Sequence, residues 1–100
     1  MSDNGDTITI ANVHLPDYTS EVDRDRYEAM KEAMWDVLPA EAPGMTQDEI
    51  QQAVLPRLPE HLYPGGDRVE WWIRTVQLDH EAKGNLVRED TAPYRLHRAA

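Results

Sequence analysis

The side chains able to do chemistry are plentiful, but their spacing does not suit catalysis. Histidines stand at positions 14, 61, 80 and 97, and no two share the HxxxH or HExxH spacing that brings a pair to one metal ion. The absence of cysteine removes a thiolate zinc site, a disulfide framework and a cysteine nucleophile together. Gly65 and Gly66 are not followed by the lysine and serine or threonine that complete a phosphate-binding loop. Serine occurs only at Ser2 and Ser20, outside any such pattern. Asp23, Asp25, Glu28 and Glu32 fall at helical spacings and read as a solvated face rather than as an acid–base pair. The expectation is a protein with no catalytic residue, no metal and no cofactor, one that acts by binding.

Two sets of residues carry binding chemistry. Arg68, Arg74, Thr75 and Gln77 would lie on the outward face of one helix, with Arg88, Arg95 and Arg98 in the segment after it. Arginine pairs with guanine edges or phosphates and glutamine with adenine, so this set points to duplex DNA. Glu70, Asp79 and Glu81 share the same stretch and can neutralise those arginines at helical spacings of three and four. The second set is Trp35, Trp71 and Leu78, an exposed apolar patch of the kind that anchors protein interfaces. Trp71 and Trp72 are adjacent, hence about 100° apart on a helix, and only one can be fully inside. Trp72 then fills the core. Trp71 either covers the loop at Leu58, Leu62 and Tyr63 or faces a partner, which would be a second copy of the chain or another protein.

The elements that must position these residues follow from periodicity and breakers. Residues 7–15 alternate at Ile8 and Ile10 and then slip phase to Val13 and Leu15, which predicts a short strand with a bulge or an end near Asn12. Asp23 is a good N-cap, and Tyr27, Met30, Met34, Val37 and Leu38 follow at spacings of three and four until Pro39. Thr46 and Glu49 form a capping-box pattern, with Met45 and Ile50 as its hydrophobic staple, and predict a second helix running to about Leu55. A third helix should begin near Gly66 or Asp67 and bury Val69, Ile73, Val76 and His80 on one face. Gly84 is its expected C′ residue. Residues 86–89 and 94–97 read as a hairpin around the turn at 90–93. The order is strand, helix, helix, helix, hairpin.

With 100 residues the chain is expected to form a single domain over 1–100, with residues 1–6 disordered. A 40% hydrophobic share with three tryptophans and four tyrosines argues for a folded core, although a mean hydropathy of −0.71 implies a very polar surface. No apolar run is long enough to span a membrane and the N-terminus lacks the features of a signal peptide, so a cytoplasmic location is expected. The formal net charge is −9. Residues 1–66 carry four basic and thirteen acidic side chains, whereas residues 67–100 carry six of each. Only the C-terminal third could meet a polyanion without net repulsion.

Three helices closed by a hairpin are the layout of a winged helix-turn-helix domain, in which the third helix reads and the hairpin is the wing. The chain also resembles a family of short bacterial winged-helix-like proteins of unassigned function. The likeness is carried by VDRDRYEAM at 22–30, APGMTQDEI at 42–50, LPEHLYPGG at 58–66, WWIRTVQLDHEAKG at 71–84 and YRLHR at 94–98. It implies an α+β fold, mainly helical, and no particular chemistry. Two features depart from the pattern. The link into the third helix is about eleven residues with three prolines, where the usual turn has three or four. His80 stands where the family tends to carry an aliphatic side chain, so it either caps the core through one hydrogen-bonded nitrogen or marks an open base. The resulting expectation is a regulatory DNA-binding domain using the third helix and wing, with an acidic protein-interaction module on the same scaffold as the alternative.

Overall fold

The structure is a computed structural model and describes residues 6–99. Strand β1 (Thr7–Ala11) pairs antiparallel with β2 (Thr19–Asp23), from Thr7 opposite Asp23 to Ala11 opposite Thr19. Strand β2 corrects the sequence expectation of a single N-terminal strand. Its sequence TSEVD offers one aliphatic side chain, and only Ser20 and Val22 turn inward, so the period-two signal is weak. The phase slip at Val13 and Leu15 is the connecting loop rather than a bulge. Asn12 organises that loop, accepting from the His14 amide at 2.8 Å through its side chain and from the Leu15 amide at 3.0 Å through its carbonyl. The expected disorder of residues 1–6 falls outside the described residues except at Asp6, which pairs with Arg24 at 3.1 Å.

Helix α1 (Arg24–Val37) starts directly from β2, because Asp23 ends the strand and caps the helix by accepting from the Arg26 amide at 3.2 Å. Its inner face buries Tyr27, Met30, Ala33 and Met34. Helix α2 (Gln47–Val54) carries both bonds of the capping box, Thr46 Oγ1 from the Glu49 amide and Glu49 Oε1 from the Thr46 amide, at 3.2 and 3.0 Å. The long link to the third helix is not loose. It holds 3₁₀ turns at Leu55–Arg57 and Pro64–Gly66, and buried Tyr63 donates to the Arg26 carbonyl at 2.6 Å while meeting Trp72 edge-on.

Helix α3 (Val69–Ala82) begins two or three residues later than its sequence suggests. Arg68 is therefore its N-cap, in the left-handed region at φ +58°, and not a residue of its outward face. The C-terminus closes as a Schellman motif: the Asn85 amide donates to the His80 carbonyl, the Gly84 amide to that of Glu81, and Gly84 sits at φ +79°. Strands β3 (Leu86–Glu89) and β4 (Arg95–Arg98) form the second antiparallel hairpin. On its other side β4 makes a one-residue bridge, in which Met45 and Leu96 exchange amide–carbonyl bonds of 2.9 and 2.8 Å. Gly44 permits this approach, because a Cβ there would lie 2.3 Å from the Leu96 carbonyl oxygen.

Among the described residues the architecture is α+β, three helices with two small antiparallel hairpins. Met30 and Met34 of α1, Ile50 of α2, and Ile73 and Val76 of α3 are fully buried where the helices meet, and Leu86 and Leu96 seal that core from the second hairpin. Each such side chain contributes roughly 1.5–3 kcal/mol by leaving water. Among the described residues, no helix is long and apolar enough to cross a membrane.

Candidate functional site

The residues expected to meet DNA divide sharply once folded. Gln77 is fully buried and donates to Glu81 Oε2 at 2.8 Å and to Tyr94 Oη at 3.2 Å, so it presents nothing to a base edge. The cause is the second hairpin, which folds back and lays Tyr94 over this side of α3. The three hairpin arginines tie that hairpin to a different helix or helix end each. Arg88 grips Glu81 of α3 through two bonds of 3.1 and 2.9 Å and lies 4.3 Å from the Tyr94 ring centroid. Arg95 donates to the Gly44 carbonyl at 3.1 Å and to Glu49 of α2 at 3.4 Å, and Arg98 donates to the Leu38 carbonyl at the end of α1 at 3.0 Å. Arg68 and Arg74 remain exposed, and Thr75 is half-buried.

These last three border a different feature. The first hairpin docks on α3 through the Ala11 amide, which donates to Asp79 Oδ1 at 2.8 Å, and leaves a cleft of about 220 Å³ beside it. Ile10, Tyr18 and Val22 line one wall; Trp71, Thr75 and Leu78 line the other, and among the described residues Arg74 is the single charged side chain in the lining. Trp71 is 45% exposed, and Tyr18 and Leu15 at the adjoining hairpin tip are about as open, at 50% and 51%. The Trp71 ring is held edge-on against Trp72 at 5.0 Å, with the Arg68 guanidinium 5.2 Å from its centroid. Trp35 does not join this patch. It packs edge-on against His80 at 4.8 Å and lines another pocket, because positions 71 and 80 are about half a turn apart around α3.

Beneath that other pocket lies a polar cluster that sequence reasoning largely missed. Asp79 is fully buried and accepts from the Tyr27 hydroxyl, from the Ala11 amide and from Lys83 Nζ at 3.0 Å. His80 lies 2.7 Å from Tyr27 Oη through Nε2 and 3.0 Å from the Asn85 amide nitrogen through Nδ1. An amide NH₂ can only donate, which assigns the ring proton to Nε2 and makes His80 a donor to Tyr27. Burial opposes the Asp79 charge, but the bonds from Tyr27, Ala11 and Lys83 outweigh it and hold the carboxyl below its ordinary value. His80 is pushed down to about 4, first by burial and then, against the pull of Asp79, by Lys31 and Lys83. Burial, followed by Asp79, raises Tyr27. At neutral pH the chain is therefore Asp79 charged, Tyr27 protonated and His80 neutral, and each member is satisfied. Chemically it is a lock joining β1, α1 and α3, with no free nucleophile.

Of this lock the sequence pattern puts His80 on the buried face but Asp79 among the exposed charges. The available signal was that Asp79 follows Val76 by three on the inward stripe. The Tyr27 partnership spans more than fifty residues and depends on how α1 packs on α3. Among the described residues, no three histidines, aspartates or glutamates gather as a metal site.

Fold and surface thus define a small α+β domain with an apolar cleft between its N-terminal hairpin and its third helix. The chain belongs to the Family of unknown function (DUF6958), whose model matches residues 7–96, from the first strand into the last. Comparisons with curated proteins and with solved structures return no match.

Proposed function

We propose that this domain is a protein-interaction module on a winged-helix-like scaffold, and that the Trp71 cleft is where it takes its partner. The winged-helix reading is supported by three helices followed by a hairpin, to which Met45 adds a one-residue bridge. The observation that carries the functional reading is the exposed Trp71 in an apolar cleft where, among the described residues, Arg74 is the only charged side chain. Such clefts accept one anchor residue, and tryptophan with arginine is the combination that dominates interface energies. The cleft volume suits a single leucine or aromatic side chain. Arg74 makes no ion pair among the described residues, so the partner segment would place a carboxylate next to its anchor. A second copy related by a two-fold axis is disfavoured, because the same patch on both chains would bring cationic side chains together and supply no carboxylate from the lining.

Regulatory DNA binding is the weaker reading. Of its seven candidate residues, Gln77, Arg88, Arg95 and Arg98 are engaged within the fold, and the net charge of −9 opposes a polyanion.

The reading is tested by an amide NMR titration with a synthetic peptide that carries one tryptophan between glutamates. Shifts at residues 10–12, 18–22 and 71–78, abolished by Trp71→Ala and weakened by Arg74→Glu, are expected. No shifts, or the same shifts from a peptide lacking the tryptophan, would refute it. Shifts that depend on protein concentration without peptide would point to self-association instead.

A further inference from the structure

The pocket above the Tyr27–His80 lock lies on the other side of α3 from the Trp71 cleft and has chemistry of its own. Its volume is about 470 Å³, inside the range of roughly 300–1,000 Å³ typical of small-molecule sites. Ile8 of β1 and Trp35 of α1 supply apolar walls, and Tyr27 and His80 form a floor whose polar atoms are already paired with one another and with Asp79 and Asn85. The floor therefore asks for no hydrogen bond from a ligand and accepts an apolar face.

The charges at the mouth decide what kind of ligand fits. Lys31 and Lys83 both line the pocket, and Lys31 Nζ stands 5.1 Å from the Trp35 ring centroid with no ion pair among the described residues. Lys83 bonds Asp79 and keeps further ammonium protons available. The two carboxylates at the rim do not cancel them. Glu28 is turned to Arg24 at 3.6 Å, and Glu32 also lines the neighbouring pocket, which places it on the ridge between the two. A cationic ligand would meet the like charges of Lys31 and Lys83, whereas an anionic one can draw the Lys31 ammonium off the face of Trp35 and pair with it.

We propose that this pocket is a binding site for a small aromatic carboxylate, its ring against Trp35 and Ile8 and its carboxylate between the ammonium groups of Lys31 and Lys83. The site stands independently of the Trp71 cleft. A ligand there would bridge β1, α1 and the end of α3, the same elements that the Asp79 lock joins, and would stabilise the fold by mass action.

The probe is 2-naphthoate, with 2-naphthylmethylamine as its cationic counterpart, followed by amide shifts and by thermal melting. The acid should shift residues 28–35 and 80–83, leave residues 71–78 unmoved and raise the melting temperature. Lys31→Gln should weaken it about tenfold, the loss expected when one charge-assisted bond is removed, while Lys31→Arg retains binding. Trp35→Leu should weaken it as well. The proposal is overturned if the amine binds as tightly as the acid, if Lys31→Gln binds like the parent, or if neither compound produces shifts at residues 28–35. The peptide titration of the Trp71 cleft reads different residues, so failure at either site is seen separately.

Discussion

At the scale of single residues, two neighbours on α3 differ in burial, and the difference separates the structural role of Trp72 from the binding role proposed for Trp71. Trp72 is 5% exposed and packs on Tyr63, whereas Trp71 keeps nearly half its surface in water. Trp72→Ala should cost about 3–5 kcal/mol by cavity formation. Trp71→Ala should cost about 1 kcal/mol, chiefly its edge-on contact with Trp72, while removing the proposed partner binding. Denaturant melts of both variants check the contrast; equal losses would place Trp71 in the core. The Asp79 lock makes a second prediction. Asp79→Ala strands the Tyr27 hydroxyl and the Ala11 amide, and should cost at least about 2 kcal/mol in the same melts.

The lock also fixes a pH dependence. His80 is depressed from 6.5 to about 4 in the fold, so as pH falls through that window the unfolded chain takes up a proton that the folded chain does not. The contribution of His80 is full above about pH 6.5 and declines toward pH 4, by up to about 3 kcal/mol. Asp79, also lowered, adds loss of the same sign at more acid pH. His97, raised first by its bond to Glu89, works the other way and gives up stability as pH rises above 6.5. Melting temperatures across pH 4–7 for the parent and His80→Leu test this, since the variant should show the flatter slope.

At the scale of elements, caps and close approaches determine what could be foreseen. Asp23, Thr46 with Glu49, and Gly84 are local signals, and the three helices they bound were legible because their bonds lie within a few residues. Strand β2 was not, since its partner is β1 and its own pattern is nearly all polar. Nor was the Met45–Leu96 bridge, which joins residues far apart in the chain. The misplaced site residues have the same origin. Outwardness was inferred from periodicity on one helix, and Gln77 and the hairpin arginines are covered or engaged by elements that periodicity does not see.

Thr46→Ala should cost about 1 kcal/mol, or roughly 5 °C in Tm. Gly44→Ala should cost more than Gly84→Ala. Both glycines have positive φ, but a Cβ at Gly84 meets nothing within 4 Å whereas one at Gly44 drives into the Leu96 carbonyl. Thermal melts that rank the two glycine variants the other way would mean the bridge beside α2 adds little.

At the scale of the whole molecule, charge and internal pairing together decide what the surface can meet. The excess of acid lies in residues 1–66, and the nominally neutral C-terminal third has four of its six cations, Lys83, Arg88, Arg95 and Arg98, bound to groups of the fold itself. At physiological ionic strength fields are screened beyond about 8 Å, so Arg74 can still favour a nearby carboxylate despite the overall sign. A duplex presents many phosphates at once, which is why the proposed protein contact is preferred to DNA binding.

The most direct measurement is therefore an amide titration of the labelled protein with mixed-sequence duplex DNA at low salt, repeated at physiological salt. If the hairpin arginines serve the fold and the Trp71 cleft serves a protein, residues 88–98 stay unshifted even at low salt. Shifts confined to residues 68–78 and 88–98 that shrink as salt rises would contradict that account and establish the third helix and hairpin as a DNA-binding surface.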